Sequence, residues 1–289
     1  MKILLFGGTG QLGYELSTRA ADLHFEVVSP VITEVDITDS NQVATLFENV
    51  RPTLVINCAA HTAVDKAEDE SQLAFAINAD AVRTIAEGCK STDARLIHVS
   101  TDYVFDGSLG RLLREDDPVN PLSVYGRSKL AGEQYAQEVL GADVTIVRTQ
   151  ALYGQRGANF VQTMLKLFAE REVLKIVDDQ WVSPTWAGWL AEVILDLVRM
   201  PPVGVVHASC NGTVSWCDFA GEIQRLAKPS YKGAALARIE PTTAKELNRP
   251  APRPVFSAFD TTKLATLLKR QPISWQAGLK NYLREVGVL

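Results

Sequence analysis

Tyr125 and Lys129 stand four residues apart, a spacing that sends both side chains out of one face of a helix. A phenol, whose pKa is ordinarily about 10, moves toward neutrality when an ammonium group sits beside it. A hydroxyl nearby can polarise a carbonyl, and Ser100-Thr101 closes the fourth predicted strand upstream. Chance produces Tyr-x-x-x-Lys often, so the pair gains its weight from that placement. A second chemical feature lies at the start of the chain, where Gly7-Gly8-Thr9-Gly10-Gln11-Leu12-Gly13 follows a short apolar run. It satisfies G-x-G-x-x-G from Gly8 and G-x-x-G-x-x-G from Gly7. Glycines there permit a tight turn, close approach of backbone to a pyrophosphate and close packing of helix on sheet, while the helix N-terminus attracts negative charge. A bound dinucleotide is predicted.

The adenosine end of that dinucleotide is read less directly. An acid near the end of the second strand would grip a ribose 2′-hydroxyl, but the chain reads Val27-Val28-Ser29-Pro30. Its absence weakens a strict NAD preference and inclines the cofactor toward NADPH, with NADH as the alternative. Asp36 and Ile37 follow, as candidates for the adenine edge or as part of a surface loop.

The elements that must position these groups are written in the hydrophobic pattern. Ile3–Phe6, Phe25–Ser29, Leu54–Asn57, Arg95–Ser100 and Val144–Arg148 read as buried strands, alternating with helices over Gln11–Ala20, Gln42–Val50, Gln72–Lys90 and Val124–Val139. Ser40, Ser71 and Ser123 precede three of these helices as N-caps. Later, Asn159–Glu170, Thr185–Met200, a helix capped by Ser215, Thr261–Leu268 and Trp275–Val286 read as helical, and Gly204–Ala208 as a strand. Pro229–Pro254 reads as irregular, with a short helix over Thr242–Asn248. The fold class is α/β, a Rossmann-type doubly wound parallel sheet with a smaller C-terminal substrate lobe. Residues 1–150 form the expected dinucleotide-binding domain; 151–289 form mainly the lobe, with segments returning to the sheet.

Composition narrows the function. A net charge of 29 − 34 = −5 without a basic run argues against nucleic acid. Cys58, Cys89, Cys210 and Cys217 are too few for a disulfide scaffold, and no zinc-ligand spacing accompanies them. The apolar stretch Ile3–Phe6 ends at Gly7, too short for a signal or a membrane span, so a cytoplasmic protein is expected.

With Thr101, Tyr125 and Lys129 in these positions, the chain resembles the extended short-chain dehydrogenase/reductases. Three further blocks sharpen the likeness: Asn57 to Glu68, Ser100-Thr101-Asp102-Tyr103-Val104-Phe105-Asp106-Gly107, and Pro121 to Glu133. With Asn159-Phe160, Asp179-Gln180, Pro184-Thr185 and Arg253-Pro254, they are similar to the dTDP-4-dehydrorhamnose reductase family along nearly the whole chain. The resemblance implies NADPH-dependent reduction of the C4 keto group of a nucleotide-linked deoxysugar. Tyr125 would give the proton, Thr101 would hydrogen-bond the oxygen, and Lys129 would tune the tyrosine and hold the nicotinamide ribose. Gly7, Gly10, Gln11, Leu12, Gly13, Ala59, Ala60 and Thr62 would lie along the cofactor; Asp102, Tyr103, Asn159 and Arg253 are expected at the substrate. An interdomain salt bridge is the competing reading of Arg253.

Two departures qualify the likeness. Gln150-Ala151 stand where studied relatives carry Ser-Trp, so an aromatic wall of the sugar pocket is expected to be missing. Some relatives form a Mg²⁺-linked dimer through an acid in the helix after Pro184-Thr185, where this chain has Gly188. Glu15 and Glu192 are the acids left, so a metal is not expected and a monomer is favoured over a homodimer. Alternative functions are a nucleotide-sugar epimerase and a non-catalytic NADP-binding subunit resembling the regulatory partner of methionine adenosyltransferase. A 4,6-dehydratase is disfavoured because Asp102 is followed by Tyr103 and not by Glu.

Overall fold

The run Ile3–Phe6 is apolar at every position, the mark of a strand covered on both faces, and all four residues are buried. In the structure, a computed structural model that describes residues 1–233 and 235–289, this run belongs to an interior strand of a six-stranded parallel sheet. The first half of the chain runs β1 (Lys2–Phe6), α1 (Gln11–Asp22), β2 (Glu26–Val28), α2 (Ser40–Val50), β3 (Leu54–Asn57), α3 (Val64–Asp69), α4 (Ser71–Phe75), α5 (Ala81–Thr92), β4 (Arg95–Thr101), α6 (Val124–Leu140) and β5 (Val144–Thr149). The second half adds β6 (Leu152–Tyr153), α7 (Phe160–Glu170), β7 (Val173–Val177), β8 (Trp181–Val182), β9 (Thr185–Trp186), α8 (Ala187–Val198), β10 (Gly204–His207), β11 (Val214–Ser215), α9 (Trp216–Ala227), β12 (Arg238–Thr242), α10 (Ala244–Leu247), α11 (Thr262–Leu268) and α12 (Trp275–Glu285).

The large sheet has the order β2-β1-β3-β4-β5-β10. Chain order reverses at β1, which pairs with β2 on one side and β3 on the other, so the crevice for a ligand opens at the carboxyl ends of β1 and β3. The pleat divides the core: Ile3 and Leu5 pack with Leu12 and Leu16 of α1 and Leu190 of α8, while Leu4 and Phe6 pack with Val43, Phe47, Val82 and Ile85. The first of these clusters continues without a break through Phe168 and Phe219 to Tyr282. No helix among the described residues is long and apolar enough to cross a membrane.

Several local expectations need correction. The helix expected over Gln72–Lys90 is interrupted by a π turn at Ala76–Asp80. That turn faces Asn78 inward, where it accepts from His61 N at 2.8 Å and donates to His61 O and to Ser128 Oγ, tying the loop after β3 to α6. Asp39 caps α2, because its carboxylate reaches Asn41 N and Gln42 N; the expected cap, Ser40, is the first helical residue. Ser71 makes no cap, whereas Ser123 and Ser215 do. Thr185–Trp186 is extended, so α8 begins two residues later than the expected helix. Within the supposedly irregular Pro229–Pro254, Arg238–Thr242 forms β12 and pairs in parallel with β7, neither strand having been expected. The short helix beyond it is α10, closed by a capping box between Thr243 and Glu246.

One buried ion pair joins α6 to the sheet. Arg148 on β5 grips Glu133 on α6 through Nε to Oε1 at 2.9 Å and Nη2 to Oε2 at 2.6 Å, with side chains 5% and 2% exposed. Glu133→Ala leaves the guanidinium buried without its partner and is expected to destabilise the fold by about 3–5 kcal/mol in denaturant titration. A loss below about 1 kcal/mol would mean that the pair does not hold α6 in place.

Candidate active site

The glycine loop closes on the switch point by backbone contact alone. Gly7 has φ 78°, and a Cβ there would lie 2.6 Å from Ala59 N, so both the turn and the approach of β1 to the chain after β3 require glycine. A Cβ at Gly13 would collide with the Gly7 carbonyl. Gly10, the N-cap of α1, has no side chain with which to satisfy the first-turn amides. These features fit a dinucleotide pyrophosphate. They border a cavity of about 650 Å³ that reaches from Gly7, Gly10, Gln11, Leu12 and Gly13, past Ala60 and Thr62, to Thr101, Asp102, Tyr103, Tyr125 and Lys129.

The catalytic face is set by α6. Ser123 Oγ caps it at Gly126 N, 3.1 Å, and Glu68 Oε1 accepts from Val124 N at 2.8 Å. A Cβ at Gly126 would strike the Tyr103 carbonyl, so the helix start lies directly on the turn after β4. Lys129 is 2% exposed; its Nζ donates to Val99 O at 2.7 Å and lies 3.4 Å from His98 Nε2. Burial pulls its pKa down to about 8, against the opposing pull of Glu133 and Cys58. Burial also holds His98 well below the usual imidazole range, with the Lys129 charge adding to the effect.

Tyr125 hydrogen-bonds Thr101, and Thr101 Oγ1 donates to Asp102 Oδ1 at 3.1 Å while accepting from Tyr103 N at 3.2 Å. Burial raises the Tyr125 hydroxyl above its ordinary range, and the Thr101 bond only partly offsets this. The expected shift toward neutrality is therefore reversed in the free site, because desolvation outweighs the hydrogen bond. Burial likewise pushes Asp102 up to about 6, against hydrogen bonds from Ser257 and Thr101. The Tyr103 ring meets Tyr125 edge-on, with centroids 5.4 Å apart.

Tyr103 also lines a second cavity, of about 470 Å³, with Phe160, Lys175, Gln180, Trp216, Arg249 and Arg253. Arg253 Nη2 bonds Asp65 at 2.8 Å and also hydrogen-bonds Tyr103, so a salt bridge, the competing reading of this residue, stands at the cavity wall. Arg249 is exposed, and partial desolvation and the charge of Arg253 lower its pKa. Sequence reasoning missed Lys175, Gln180 and Arg249. Arg249 lies in the stretch Pro229–Pro254 read as irregular, whose composition does not say where its charges point.

Some expected site residues do not line either cavity. Asp36 is exposed and bonds Thr38, and Ile37 packs at the edge of the second core cluster. Ala59 sits beneath Gly7, its N–H on Asn57 Oδ1 at 3.0 Å. Asn159 caps α7 and donates to Gly154 O at 2.8 Å, both ends of its amide engaged by the backbone. Glu15 pairs with Arg19, whose Nε is 3.7 Å from Glu192. A Cβ at Gly188 would lie 2.6 Å from the Arg19 guanidinium, so the glycine makes room for that cation.

Known proteins share this architecture and sequence. The family model described as RmlD substrate binding domain matches residues 1–288. A dTDP-4-dehydrorhamnose reductase of Streptomyces griseus is 40% identical over 281 residues, 96% of this chain and 91% of that one. The crystal structure of a dTDP-4-dehydrorhamnose reductase from Clostridium acetobutylicum superposes with a TM-score of 0.93 at 39% identity, covering 99% of both chains. One from Bacillus anthracis, in complex with NADP, gives 0.91 at 35% identity over 98% of this chain and 99% of that one. With a family match over nearly its whole length and relatives of this identity, the chain belongs to the RmlD family, whose members include these dTDP-4-dehydrorhamnose reductases.

Proposed function

We propose that the protein uses NADPH to reduce the C4 keto group of a nucleotide-linked deoxysugar, with dTDP-4-dehydro-L-rhamnose as substrate and dTDP-L-rhamnose as product. The observation that carries this reading is the meeting of two cavities at Tyr103, one glycine-lined and ending at Tyr125, the other cationic and aromatic. Phe160 and Trp216, with ring centroids 4.7 Å apart, suit a nucleobase, and Arg249, Arg253 and Lys175 suit a diphosphate. A substrate held there extends its sugar past Tyr103 toward Thr101 and Tyr125.

NADPH, when bound, supplies the hydride. Gly7, Gly10 and Gly13 would admit its pyrophosphate to the N-terminus of α1, and Lys129 would hold its nicotinamide ribose. Tyr125, kept protonated by burial, gives its proton to the O4 oxygen as negative charge develops there. Thr101 turns its hydroxyl from Asp102 to the same oxygen and stabilises that charge. Four free cysteines suit the reducing cytoplasm, where we place the reaction.

The direct test is incubation with dTDP-4-keto-6-deoxy-L-mannose and NADPH, following absorbance and identifying the product. Tyr125→Phe should lower kcat by roughly a hundredfold or more while leaving NADPH affinity nearly unchanged, because the acid is removed and the glycine loop is not. Near-wild-type turnover would refute the assignment.

The depressed pKa of Lys129 adds a pH dependence. Below about pH 8 the ammonium is present, and above it the charge is lost, so kcat/KM for NADPH should fall as pH rises through about 8. Lys129→Met should be slow and bind NADPH weakly, without that limb. An unchanged alkaline limb in the variant would assign it to another group.

Arg19 occupies the space between Glu15 and Glu192, so we propose a monomer that needs no Mg²⁺. Activity should survive EDTA, and light scattering should give one mass with and without Mg²⁺. Loss of activity or dissociation on chelation, reversed by Mg²⁺, would overturn this.

A further inference from the structure

Gln150 follows β5 directly, one residue past Thr149, and Thr149 is the register partner of Thr101. It is 2% exposed and lines the same cavity as Thr101 and Tyr125. Its Oε1 accepts from Ser183 N at 2.9 Å, and turning the amide over would set two donors face to face. Nε2 is therefore the free end. That nitrogen is buried and has no hydrogen-bond partner among the described residues. Ser100 Oγ and Thr149 Oγ1, on the same cavity wall, share the condition.

Buried polar atoms without partners are rare in folded proteins, and each one calls for an explanation. Three on one wall, at the ends of the adjacent strands β4 and β5, describe a surface that awaits a polar ligand. Ala151 follows at φ 44°, a left-handed conformation uncommon for a residue with a Cβ and retained mainly where function requires it. We propose that Gln150 Nε2 donates a hydrogen bond to the sugar hydroxyl adjacent to the reacting carbonyl, and so selects substrates that carry it. The proposal rests on the reductase reading above. Two placements favour the sugar over the nicotinamide. Gln150 stands beside the strand end whose hydroxyl meets the carbonyl, and Ser183 ties it to the β8–β9 segment, remote in sequence from the glycine loop.

The test compares the wild type with Gln150→Glu, which keeps an acceptor for Ser183 N–H and loses the donor. Both are assayed with NADPH on dTDP-4-keto-6-deoxy-L-mannose and on its 3-deoxy analogue, and NADPH affinity is read separately by fluorescence titration. The wild type should prefer the hydroxylated sugar by roughly ten- to a hundredfold in kcat/KM. The variant should lose most of that preference through the hydroxylated substrate alone, with NADPH affinity unchanged. If Gln150→Glu does not fold, Gln150→Met carries the same comparison. A preference absent from the wild type or intact in the variant overturns the proposal. So does weakened NADPH binding with an unchanged sugar KM, which would assign the amide to the nicotinamide. Failure of the wild type to reduce either sugar would overturn the reductase reading and this proposal with it.

Discussion

The seating of α6 on the sheet fixes the position of Tyr125 and is itself fixed by buried charge. Lys129 and Glu133 are one helical turn apart and both 2% exposed, so this helix carries two charges into the interior. Buried charges are tolerated only when paired or well hydrogen-bonded. Arg148 receives one and the Val99 carbonyl the other, and each partner belongs to a different strand of the sheet. Gly126 and Gly132 let the helix approach until its Cα atoms rest near the carbonyls of Tyr103 and Asn78. Displacement of the helix would break both polar contacts together, so Tyr125 is held in place by interactions made one and two turns beyond it.

That rigidity has an electrostatic consequence. Burial raises the Tyr125 hydroxyl and lowers the Lys129 ammonium, bringing each group toward its neutral form. A tyrosine that stays protonated is a reservoir for one proton, suited to meeting an oxyanion and poorly suited to acting as a base at neutral pH. Asp102, raised to about 6, stands on the far side of Thr101, where its ionised form takes the hydrogen that Thr101 would otherwise offer the substrate.

Features encoded by local spacing are legible in the sequence. The glycine loop, the strand ends at Asn57 and Thr101, and the pair Tyr125 and Lys129 on one helix face depend on neighbours a few residues apart. What could not be read depends on contacts across the chain. The second cavity assembles Phe160, Lys175, Trp216 and Arg249 from four separated segments, and β12 exists because β7 offers it a parallel edge. The π turn at Ala76–Asp80 answers to the need to bring Asn78 under His61 and Ser128, a demand invisible in helical periodicity. Asn159, which the resemblance places at the substrate, has both ends of its amide engaged by the backbone of α7 and Gly154, a local role that the motif does not reveal.

Gly188 shows how one small residue can redirect a neighbourhood. Glu15 is buried at the α1–α8 contact, and burial raises its pKa. A carboxylate in such a place needs a cation. With no side chain at Gly188, the Arg19 guanidinium has room to lie against Trp186 and to reach Glu15 and Glu192 at once. A Cβ at position 188 would meet the Trp186 ring first and Arg19 Nη2 next, so the glycine serves the packing of both. The charge that balances Glu15 then comes from its own helix, covalently supplied and always present.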